Sequence, residues 1–228
     1  MGGEIRRSWA PVAVVVVPLV FVLGVGFAGL QTAGPPQVRV ISNAVIDPAY
    51  PSETLRDLVS YADQVSVVKV VGERRLPAGD EEESGGYEAR TVTVEVEDTI
   101  WRGPSGVSAP ESLEFTAWGW SGGQPVGAEG GARLEVGHRY LLALARGKDE
   151  GKTAWWSFTD GAQLHLEGDT LDGEDVLGEP SPIFRRLAGL TVDQAAAVIF
   201  RAKPDPIAVE HAELDAIDRW EAVARERG

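Results

Sequence analysis

Three patterns of hydrophobic and polar positions follow one another along the 228 residues. The first is Ala10 to Leu30, "APVAVVVVPLVFVLGVGFAGL", without a charged or strongly polar side chain. As a helix rising about 1.5 Å per residue it is about 31 Å long and apolar all round, which are the length and character of a bilayer span. The second pattern has period two. "TVTVEVEDTIW" sets Val92, Val94, Val96 and Ile100 on one face of a strand and Thr91, Thr93, Glu95 and Glu97 on the other. From Pro180 onward the period becomes helical.

Within this frame the spacing predicts a short helix over Glu53–Ala62 capped by Ser52, then a strand over Val65–Glu73 with a bulge near Val67 and Val68. "SLEFTAWGWSGG" continues as a strand with Leu113, Phe115 and Ala117 inward, which leaves Glu114, Thr116, Trp118 and Trp120 together on the wet face. His138 to Ala145 is apolar on both faces and is predicted to be central. "TAWWSFT" and "QLHLEGDTL" read as two more strands, with a hairpin turn expected at Asp172 and Gly173.

Two helices close the chain. Thr191 and Gln194 have capping-box spacing for a helix to about Lys203, and Asp205 and Pro206 read as the cap and first turn of the next. That last helix, Ile207–Arg227, carries Val209, Ala212, Ala216, Trp220 and Val223 on one stripe, with the pairs Asp215/Arg219 and Glu221/Arg225 on its exposed sides. Strands first and helices afterwards predict an α+β class: an N-terminal transmembrane helix, then a small antiparallel OB-like barrel of five or six strands with two C-terminal helices packed on it. The expected division is a cytoplasmic N-terminus 1–9, an anchor 10–30, a linker 31–51, a barrel 52–178 and a helical segment 179–228.

Arg6 and Arg7 precede the apolar run, so the charge bias places the N-terminus in the cytoplasm and the rest outside a single-pass cell membrane anchor. The alternative is a secreted domain after signal cleavage, with Gly26 and Ala28 permitting a cut after Ala28. A net charge of −14 repels phosphate backbones and argues against nucleic acid as a partner. Cysteine is absent, which removes thiol nucleophiles, thiol redox chemistry and cysteine-ligated metals.

The segments "LVSYADQVSVVKVVGE", "YEARTVTVEVEDTIWRG", "LEFTAWGW" and "LEVGHRYLLALAR" resemble the netrin-like modules related to tissue inhibitors of metalloproteinases, and small membrane-anchored or secreted bacterial proteins built on the same pattern. The resemblance covers roughly Val59 to Phe158, and "VGHRYLLAL" is its most specific piece. It implies an OB-like barrel. The inhibitory relatives act through an N-terminal cysteine and a disulfide framework that this chain lacks, so their inhibitory residues transfer to no position here.

No residue set identifies a reaction, and no cofactor motif is present: there is no G-x-S-x-G, no phosphate loop ending in lysine and no H-E-x-x-H. "GDTLDGED" fails as a calcium loop because Leu171 falls where an oxygen donor is required. Candidate chemistry is confined to a few residues. Trp118 and Trp120, with Glu114, form a candidate ligand platform or a surface roofed by a helix. His165 shares a strand face with Glu167 and Gln163, a pair that could take a metal ion or act as acid and base. His138 at its turn is the weaker candidate, and His211 reads as surface. These features lead to the expectation of a non-catalytic envelope binding module that touches the membrane through residues 10–30 and engages an envelope protein or glycan. A His/carboxylate hydrolase is the catalytic alternative.

Overall fold

The alternation around Val92 and Val94 builds the longest element of a mixed sheet. The computed structural model describes residues 39–41, 51–76, 87–149, 151–173 and 176–228. The expected membrane span 10–30 lies outside them. Among the described residues no helix is long and apolar enough to cross a membrane.

The strands are β1 (Arg39–Ile41), β2 (Gln64–Arg75), β3 (Tyr87–Arg102), β4 (Ser112–Ser121), β5 (Gln124–Ala128), β6 (Arg139–Asp149), β7 (Lys152–Ser157), β8 (Leu164–Glu167) and β9 (Thr170–Leu171). Their order is β1-β5-β4-β3-β2-β6-β8-β9, with β7 also on β6. All pairings are antiparallel except β1 with β5. One edge of β6 pairs with β2, while the other takes β8 at its start and β7 at its end, and the sheet curls until β4 approaches β7. The register of β2 on β3 shifts between Val67 and Val68, where the run of valines predicted a bulge.

Tyr140 to Ala145 are all buried, as a strand apolar on both faces requires. Tyr140, Leu142 and Leu144 face inside the curl with Val68, Val70, Val92, Val94, Leu113 and Phe115. Leu141, Ala143 and Ala145 face outward into a second core with Val65, Val67 and the helices.

The helices are α1 (Leu55–Tyr61), α2 (Pro182–Leu187), α3 (Val192–Arg201), α4 (Pro206–Glu210) and α5 (Ala216–Arg227). Thr54, not Ser52, caps α1, because Asp57 completes a capping box with it. The box at Thr191 and Gln194 opens α3 as the spacing predicts, and Asp205 caps α4 with Pro206 in its first turn.

Four expectations are corrected. The described residues form nine strands where five or six were expected. The C-terminal segment holds four helices instead of two, since Ser181 and Pro182 start a short extra one. The final helix breaks after Glu210: Asp215 accepts from the Asp218 N–H as a new cap, and the turn before it aims the carbonyls of Ala212 and Leu214 at Arg219. Arg219 is therefore 1% exposed and bound to Asp63, not paired with Asp215 on the surface. The β8–β9 hairpin turns at Gly168, where φ is +61°, so Asp172 follows β9 instead of forming the turn.

Candidate functional site

Trp118 and Trp120 do not stand together on a wet face, since neither is exposed. Arg90 of β3 pairs with Ala117 of β4 and Glu88 with Trp120, so a two-residue step on one strand opposes a three-residue step on the other. The extra residue makes a bulge and slips the alternation by one. Trp120, opposite Glu88, is 9% exposed, while Trp118 stays half-buried. Gly119 is required at this point, since a Cβ there would stand 2.1 Å from the Glu88 carbonyl oxygen.

Among the described residues, side chains of neighbouring strands and of the 3-10 turn Asp160–Ala162 meet the two indoles. The Arg75 guanidinium lies 3.9 Å from the Trp120 ring centroid, close enough for a cation–π contact. The Trp118 indole N–H donates to Asp160 Oδ2 at 2.7 Å, and its ring meets Tyr87 edge-on at 5.7 Å. The bulge frees backbone carbonyls that two buried arginines satisfy: Arg90 Nε donates to Trp118 O at 2.6 Å and Arg133 Nη2 to Gly119 O at 3.3 Å. Burial, then the nearby Arg133, lowers the Arg90 pKa against the raising effect of its partner Glu73. Burial raises the Asp160 pKa, although Trp118 and Gln163 donate to it. The space among Arg90, Trp118, Arg133, Asp160 and Gln163 is about 10 Å³, room for about one water. Glu114 remains exposed on the β3–β4 surface and accepts from Thr93 Oγ1 at 3.2 Å.

The histidines form a second cluster. Tyr140 of β6 pairs with His165 of β8, which brings the preceding turn residue His138 to the same place. His138 Nδ1 lies 3.1 Å from His165 Nε2, with ring centroids 5.0 Å apart. On the other side of His165, Nδ1 faces Asp172 Oδ2 at 3.6 Å, an ion-pair separation longer than a direct hydrogen bond. The structure thus joins His165 to His138 and Asp172, while Glu167, two residues along β8, is exposed. His211 stands apart, with Nε2 2.6 Å from Glu226 Oε1.

Period-two counting could find each of these residues but not their meeting. The register of β6 on β8 is set by chain pairing, and Asp172 reaches His165 only because the hairpin turns four residues earlier than expected. The signal available for the bulge was Gly119 itself, a glycine inside an otherwise alternating strand. No protein-family model matches the chain, and no curated protein matches it.

Proposed function

We propose that the chain is an extracytoplasmic binding module, held at a bacterial cell membrane by residues 10–30, whose OB-like, netrin-type barrel engages a protein of the cell envelope and catalyses no reaction. The carrying observation is the uneven covering of the curled sheet. Its inner face is filled by the core, the helices pack against β2, β6, β8 and the Ile100–Trp101 end of β3, and Glu95, Glu114 and Thr116, farther along β3 and on β4, are left in solvent. OB-type barrels engage extended ligands on one such face. The uncharged run after Arg6 and Arg7 supports the anchor. A glycan is the weaker partner, because stacking needs neighbouring indole faces and the Trp120 ring carries Arg75.

A chain without cysteine allows a clean test. In intact bacterial cells a membrane-impermeant maleimide labels Thr116→Cys, and labels Ser8→Cys only after the membrane is permeabilised. A photo-crosslinking residue at Thr116 yields one discrete protein adduct that is missing when the same residue replaces Glu221 on α5. Labelling of Thr116→Cys only after lysis overturns the location, and equal adducts at both positions overturn the face.

A further inference from the structure

We propose that His138 Nδ1 and His165 Nε2 together bind a divalent transition-metal ion of the zinc class, with Asp172 orienting His165. The site goes beyond the envelope-binding reading and stands or falls separately from it.

The geometry of the two nitrogens carries the inference. Two imidazole nitrogens on one tetrahedral zinc, each at about 2.0–2.1 Å, are about 3.3 Å apart. Here they are 3.1 Å apart, so an ion enters with a shift of a few tenths of an ångström. Asp172 faces the opposite ring nitrogen of His165 at 3.6 Å. A carboxylate there favours the proton on Nδ1 and leaves the Nε2 lone pair toward His138, the arrangement in which an outer carboxylate fixes a metal-binding histidine.

The backbone holds both rings before any ion arrives. His138 follows Gly137, whose φ of +90° makes the turn, and its carbonyl accepts from the Val70 N–H at 3.0 Å. His165 is paired with Tyr140, whose ring lies 5.4 Å from the imidazole and whose hydroxyl accepts from the Glu135 N–H and donates to Arg133 O. When the ion binds, it replaces the proton at His138 Nδ1 and the exposed ring carries its proton on Nε2, so the imidazole stays neutral. Among the described residues no group of three His, Asp or Glu side chains is placed to hold a metal. In the proposed site water completes the coordination. Two nitrogen donors select zinc, copper or nickel over magnesium and calcium, which require oxygen ligands.

The full chain has three histidines, so long-range proton–nitrogen spectra of the imidazoles resolve the question without a variant. Adding Zn²⁺ to one equivalent shifts His138 Nδ1 and His165 Nε2 and leaves His211 in place, and Mg²⁺ shifts neither. In a chelator competition His138→Ala and His165→Ala each weaken Zn²⁺ binding at least tenfold, and Asp172→Asn weakens it about 10–100-fold with the fold intact. Unmoved His138 and His165 resonances, an equal response to Mg²⁺, or wild-type Zn²⁺ affinity in the folded single variants would overturn the site.

Discussion

Arg219 Nη2 stands 2.8 Å from Asp63 Oδ1, with both side chains sealed from solvent. The same guanidinium donates to the carbonyls of Ser60, Tyr61, Ala212 and Leu214, and the other Asp63 oxygen accepts from the Arg146 N–H. One ion pair thus fastens α5 to the start of β2, and the planar fork is what reaches several acceptors at once. Arg219→Ala leaves the Asp63 charge buried without its partner. The expected loss is about 3–5 kcal/mol in urea unfolding, a large share of the roughly 5–15 kcal/mol of a typical domain. Arg219→Lys does not restore it, because a point charge cannot satisfy the same set.

The bulge at Gly119 makes a second prediction. A Cβ there meets a backbone carbonyl at 2.1 Å, so the strand pair itself must shift. Gly119→Ala is expected to cost about 1–3 kcal/mol, toward the upper end, and to move the tryptophan emission to longer wavelength as Trp120 loses its cover. Gly72→Ala is the control: its Cβ meets Thr93 at 3.7 Å, an ordinary contact, and stability should stay within about 0.5 kcal/mol.

These two positions also mark where sequence patterning reaches its limit. Val92 and Val94 announce their strand because alternation is a local property, and Leu141 and Leu142 announce a central strand because both faces are apolar. Arg219 shows no such signal. Four residues from Asp215, it fits a surface helical pair, and only its position 156 residues from Asp63 explains its burial. The two tryptophans obey the alternation until one extra residue in β4 reverses it. His138 and His165 were each visible as candidates, but their contact depends on strand register, and Asp172 joins them only through the placement of a turn.

The capping box of α3 was legible in full, and it has a local consequence. Thr191 Oγ1 accepts from the Gln194 N–H at 3.3 Å, while Gln194 Oε1 accepts from the Thr191 N–H at 3.0 Å. Thr191→Ala removes one side of this exchange and should cost about 0.5–2 kcal/mol. Amide exchange should quicken in the first turn of α3 and stay unchanged in β6.

Asp160 and Asp205 give stability opposite dependences on pH. Burial raises the Asp160 pKa above its ordinary 3.8. Between 3.8 and that raised value the folded chain keeps a proton the unfolded chain has released, so stability falls as pH rises through the window. Burial also pushes Asp205 upward, but the Ile207 N–H and the guanidiniums of Arg227 and Arg56 outweigh it, and its pKa is lowered from 3.8. Its contribution is present above 3.8 and is lost as pH falls through the folded value. Melting temperatures measured from pH 3 upward should therefore show the wild-type advantage over Asp160→Asn shrinking as pH rises, and the advantage over Asp205→Asn collapsing on acidification. An advantage over Asp160→Asn that grew with pH would mean that the N–H donors of Trp118 and Gln163 outweigh burial, and that the charged carboxylate is the form the fold selects.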